Sequence, residues 1–162
     1  MKRLVIAIAL FATPFTASAS PELASQWGSK AASLHAQTTD LITMIDQGDS
    51  PDFALQYLLD VQRFAATATR LGSWIDRSSG AKDLGCIFRG MAAEGEVQLD
   101  TLDSADDTAT TREALRRLAT MFSDAEMVAI ASTRRSATPG LASATSRQSC
   151  PASSYAALDA LH

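Results

Sequence analysis

The sequence predicts an all-α domain, an antiparallel four-helix bundle with up-down-up-down the expected order, and three observations lead there. Apolar residues recur at steps of three and four in four separate segments, the spacing that lines one face of a 3.6-residue helix. The stretches between these segments are short, so consecutive helices must turn back on each other. No segment alternates apolar and polar residues for long enough to read as a strand.

The first helix is expected from Pro21 to Gln47. Trp27, Ala31, Leu34, Leu41 and Ile45, with Thr38 between them, form one stripe. Ser20 before Pro21 is an N-cap followed by a proline in the first turn, and Gly48 can close the helix in a left-handed conformation. Ser50-Pro51 repeats this opening for the second helix, which should end just before Gly80. Its apolar face runs through Phe53, Tyr57, Leu58, Val61, Phe64, Ala65, Ala68, Leu71 and Ile75. Arg63, Arg70 and Arg77 fall nearly opposite, one every seven residues and thus about 10 Å apart.

The third helix is expected from near Ala81, with Leu84, Ile87, Phe88, Met91, Gly95, Leu99 and Leu102 as its stripe. The acidic run from Asp100 to Asp107 should interrupt it. Thr110 and Glu113 have capping-box spacing at the start of a fourth helix, whose stripe is Leu115, Leu118, Phe122, Ala125 and Ala129. Arg134 and Arg135 stand at its end, where cations suit the helix dipole.

The ends of the chain read differently. Residues 1–19 have the order of a secretory signal: Lys2 and Arg3, an apolar run from Leu4 to Ala12, a break at Pro14, and small residues Ala17-Ser18-Ala19. The apolar run is shorter than the roughly 20 residues needed to span a bilayer. Cleavage between Ala19 and Ser20 leaves a helical bundle over 20–135 and a tail over 136–162, rich in Ser, Thr and Ala, with a short terminal helix that could dock Tyr155, Leu158 and Leu161. The expected location is periplasmic or secreted. In an oxidising compartment Cys86 and Cys150, the only two cysteines, are expected to form a disulfide that staples the tail to the start of the third helix.

Composition narrows the function classes. The whole chain has 14 basic and 18 acidic residues; without Lys2 and Arg3 the mature balance is 12 against 18, a net charge of −6. Such a surface does not attract nucleic acid or anionic lipid. With two histidines, His35 and His162, the chain holds no pair of Glu-x-x-His motifs for a di-iron site. It also contains no CxxCH, GxSxG or phosphate-binding loop, so no cofactor is implied. The acidic clusters Asp46-Asp49-Asp52 and Asp100-Asp103-Asp106-Asp107 lack the alternating, glycine-turned order of a calcium loop and read as solvated helix ends.

Two surfaces stand out. The segment Gly85 to Met91 combines Phe88, Arg89 and Met91 with a cysteine, and the Arg63-Arg70-Arg77 series forms a basic line. Together they are the candidate interaction surface of a non-catalytic exported protein whose partner is another envelope or secreted protein, in the manner of an adaptor, a chaperone-like factor or an inhibitor. Two alternatives stay open. One is a small-ligand carrier with an apolar pocket lined by Trp27, Phe64, Trp74, Phe88 or Met91. The other is a small exported enzyme of the helical mutase kind, using Arg and Glu side chains inside the bundle.

Overall fold

The computed structural model describes residues 21–77 and 82–136. Within them are four helices and no strand: α1 (Pro21–Asp46), α2 (Leu55–Arg77), α3 (Lys82–Ser104) and α4 (Thr108–Ser136). The signal segment, the tail and Cys150 lie outside the described residues. None of the described helices is long and apolar enough to cross a membrane.

The helices pack in a ring, α1 on α2, α2 on α3, α3 on α4 and α4 back on α1. Named contacts fix their directions. Lys30 and Thr38 of α1 meet Asp60 and Tyr57 of α2, so the two run antiparallel. Ala65 and Gly72 of α2 face Gly95 and Gly85 of α3, again in opposite order. Gly28 and Asp46 of α1 meet Ala129 and Arg112 of α4. The result is an up-down-up-down bundle, as the short connections require.

The centre is filled by large side chains. Trp27 stacks on Phe64 with ring centroids 4.6 Å apart, and Phe88 meets Trp27 edge-on at 5.1 Å. Phe122 meets Phe64 edge-on at 5.1 Å, so one aromatic cluster joins all four helices. Leu34, Leu71, Met91, Leu115, Leu118 and Met121 surround it, all fully buried. Each such side chain contributes roughly 1.5–3 kcal/mol by leaving water.

Helix ends follow local chemistry, with three departures from expectation. Gly48 adopts φ 89° beyond the end of α1, and the amides of Gly48 and Asp49 donate to Ile45 and Met44, which satisfies the last carbonyls. α2, however, starts at Leu55 and not at Ser50-Pro51. Phe53 stacks against Tyr57 at 6.5 Å, and the Ala54 carbonyl accepts the first amides of the helix, so Pro51 belongs to the approach. α3 runs on to Ser104, through Asp100 and Asp103. Its burial ends with Leu102, and solvated acids on the outer face do not break it. α4 is capped by Asp107 in place of Thr110: the Asp107 carboxylate accepts from the Thr110 amide at 2.8 Å and its hydroxyl at 2.6 Å. These two bonds hold the Asp107 carboxyl below the usual carboxylate range.

Candidate functional site

The four seams between helices differ in what fills them, and that difference locates the chemistry. Between α1 and α2 lies a polar cluster centred on Asp60. Lys30 donates to its Oδ2 at 2.7 Å, Gln56 to its Oδ1 at 2.9 Å, and Arg63 stands 3.4 Å from Oδ1. The Lys30 and Gln56 hydrogen bonds hold the Asp60 carboxyl below its ordinary range, against the partial desolvation that pushes it up. One turn away, Thr38 is fully buried, shares a 2.8 Å hydrogen bond with the Tyr57 hydroxyl and donates to the Leu34 carbonyl. Burial pushes the Tyr57 phenol up to about 12, with the Thr38 contact opposing. Trp27 closes the same seam by donating its indole N–H to the Phe64 carbonyl at 3.2 Å. A shallow notch of about 150 Å³ lies outside, between Lys30 and Arg63.

Between α3 and α4 the polar residue is Glu94. It is buried, accepts from Gln98 at 2.9 Å, and has the Arg117 guanidinium 4.0 Å away. Arg117 also reaches Glu113 on its own helix at 3.3 Å. The sequence places Glu94 beside an apolar stripe from which it could reach solvent; the structure buries it instead. Gly95 faces Ala65 of α2, while Glu94, one residue before it on α3, faces Arg117 of α4.

The α2–α3 seam is tight. A methyl group on Gly72 would meet the Gly85 carbonyl at 3.0 Å. Beside it Arg89 pairs with Asp76 and donates to Cys86 Sγ at 3.6 Å. The α1–α4 seam is tighter still, since a methyl on Gly28 would sit 2.5 Å from the Ala129 methyl. Outside it runs an open groove of about 350 Å³, lined on α1 by Ser25, Gly28, Ser29 and Ala32 and on α4 by Glu126, Ala129, Ile130 and Thr133. At the far end of this seam Arg112 Nε lies 2.9 Å from Asp46, without the alignment of a hydrogen bond.

The residues singled out by sequence do not form one surface. Phe88 and Met91 are core residues, fully buried, because they lie on the stripe that packs the aromatic cluster. Arg89 stays at the rim on Asp76. Arg63, Arg70 and Arg77 are exposed on the outer side of α2, Arg63 turned towards Asp60. His35 is exposed. Of the side chains suggested as a pocket lining, Trp27, Phe64, Phe88 and Met91 pack in one core cluster, and Trp74 lies at its edge. No group of three or more His, Cys, Asp or Glu that could hold a metal occurs among the described residues.

Sequence reasoning missed three features. Asp60 reads as an ordinary polar-face residue until Lys30, thirty positions earlier, is brought against it. Asp124 is buried on α4 although it is charged. Met127 and Ile130, 57% and 46% exposed, leave apolar surface beside the α1–α4 groove. No family model, curated protein or solved structure matches this chain.

Proposed function

We propose that this chain is an exported, non-catalytic helical-bundle protein that acts by binding another protein of the envelope or the secreted fraction. The observation that carries the reading is the division between centre and surface. The centre is occupied by Trp27, Phe64, Phe88 and Phe122 stacked on one another. Recognition therefore falls to the outer faces, and the α1–α4 face offers a groove with Met127 and Ile130 beside it. Exposed apolar side chains next to a concave seam are what a protein partner buries.

Export through residues 1–19 and a Cys86–Cys150 disulfide belong to the same proposal. The bond would close a loop of 64 residues, counting from 86 to 150, and chain entropy alone would make it worth about 4 kcal/mol. Secreted protein should begin at Ser20 on N-terminal sequencing, and non-reducing peptide mass mapping should find the 86–150 link.

The partner is tested by a photo-reactive amino acid placed at Ile130 and, as a control, at Arg70 on the outer side of α2. Irradiation in the exporting cell should give one discrete adduct from position 130 and none from position 70. Identical adducts from both positions, or none from either, would count against the reading. The enzymatic alternative rests on Glu94 with Gln98 and Arg117. Both Glu94 contacts are explained by burial of a carboxylate, which requires such partners whatever the protein does.

A further inference from the structure

Gln26 and Lys30 are one turn apart on α1, and Arg63 and Thr67 are one turn apart on α2. The two helices run antiparallel with Lys30 on Asp60, so Lys30 stands with Arg63 at one end of the outer α1–α2 notch and Gln26 with Thr67 at the other. The stacked pair Trp27 and Phe64 forms the floor between them. Leu23, three residues before Gln26, adds an apolar wall at the Thr67 end. The notch is thus cationic at one end and apolar along its length.

The charge at the cationic end does not cancel. Arg112 stands with one carboxylate, Asp46, and Arg117 with two, Glu94 and Glu113. Around Asp60 the order is reversed: Lys30 and Arg63 share one carboxylate, a local excess of one positive charge in a chain whose net charge is −4. Lys30 uses one of its three N–H donors on Oδ2. Arg63 reaches Oδ1 only at 3.4 Å, an oxygen that already accepts from Gln56 at 2.9 Å, and its side chain is 67% exposed. Both cations therefore keep N–H donors to spare, and both line the notch. The opposite end adds no charge. Gln26 donates to Glu22 and the Thr67 hydroxyl to the Arg63 carbonyl, each along its own helix. Glu22 does not line the notch and lies about 12 Å along α1 from Lys30, beyond the screening length of about 8 Å at physiological salt.

We propose that this notch binds a small monocarboxylate with a compact apolar body, its carboxylate between Lys30 and Arg63 and its body over Trp27 and Phe64. Three features select that class. One excess positive charge matches a monoanion better than a phosphate monoester, which carries about −1.5 to −2. A guanidinium fork can meet both oxygens of a carboxylate. The notch, about 150 Å³, is smaller than the roughly 300–1,000 Å³ that drug-sized ligands occupy, so the apolar body must be compact. The notch shares no lining residue with the α1–α4 groove, and the site stands whether or not a protein docks there.

Titration of the full purified chain with benzoate, read at the Trp27 indole N–H resonance, tests it. Trp74, which does not line the notch, is the internal control. The Trp27 signal should shift saturably in the millimolar range, and the Trp74 signal should stay in place. Benzamide, of the same shape without the charge, should bind about fivefold more weakly, and so should inorganic phosphate, which has charge but no apolar body. Arg63→Gln should weaken benzoate about threefold to tenfold and leave the unfolding midpoint in place, since Asp60 keeps Lys30 and Gln56. Arg63→Lys should restore part of the loss, and Arg70→Gln should change nothing. An absence of saturable Trp27 shift would overturn the proposal, as would equal binding of benzamide or an unchanged benzoate affinity in Arg63→Gln. Phosphate binding as tightly as benzoate would also overturn it, by showing a site for bare anions.

Discussion

Where α1 meets α4 and α2 meets α3, the helices come as close as glycine and alanine allow; where α1 meets α2 and α3 meets α4, side chains fill the gap. The close seams are set by Gly28 on Ala129 and by Gly72 on Gly85. The wider seams contain the polar groups, Asp60 with Lys30 and Glu94 with Arg117. The lesson is that shape and register are specified separately. Small residues fix how near two helices stand, which any apolar stripe leaves open. Buried polar pairs fix which residue faces which, because a carboxylate shifted by one turn would lose its donor.

The largest effect that sharpens this contrast is expected at the aromatic cluster. Phe64 touches Trp27 across the α1–α2 seam and Phe122 beyond it. Phe64→Ala should cost about 3–5 kcal/mol in denaturant unfolding, since four walls around the void cannot all collapse into it. A loss under 1 kcal/mol would mean that the close seams alone hold the bundle.

The next effect is alkaline. The Tyr57 phenol is raised from 10.0 to about 12 by burial. A raised acid contributes stability that is fully present below its unfolded value and is lost as pH rises through the folded value. Stability should therefore fall between about pH 10 and pH 12, by roughly 2–3 kcal/mol from this residue. Tyr57→Phe should flatten that limb of the curve, and urea titrations at pH 9, 10 and 11 would read it. An unchanged slope in the variant would show that another group, and not the Tyr57–Thr38 contact of the wide seam, controls it.

The division between seams also explains what the sequence revealed. The stripes of α1 to α4 were legible because burial against a common centre imposes one period on each helix, and Leu34, Phe64, Phe88 and Phe122 all sit where that period puts them. The start of α2 was not, because Ser50-Pro51 satisfies every local rule for a helix opening while the Phe53 ring is held by Tyr57 outside the helix. The wide-seam polar residues were hidden for a different reason. Asp60 and Lys30 are matched by the antiparallel register of two helices, which no single stretch of sequence records. Phe88 and Met91 were read as surface because a cysteine and flanking glycines suggested an exposed segment; their place on the stripe was the stronger signal.

The smallest expected effect separates close approach from mere glycine content. Gly28 and Gly95 are both buried and both helical, so replacing either with alanine removes the same backbone freedom and should gain about 1 kcal/mol of helix propensity. They differ only in what the new methyl meets. At Gly28 it lands 2.5 Å from the Ala129 methyl, a clash that must push α1 from α4 and should leave a net loss of about 1–2 kcal/mol. At Gly95 it lands 3.4 Å from the Ala65 methyl and 3.9 Å from Met121, whose flexible end can give way. Gly95→Ala should therefore change stability by less than about 0.5 kcal/mol, the propensity gain balancing slight crowding. Thermal or urea unfolding of the pair decides it. If only Gly28→Ala loses, the α1–α4 seam is set by the space that a missing methyl leaves; if both variants gain by the helix propensity of alanine, the 2.5 Å approach at Gly28 does not limit how near the helices stand.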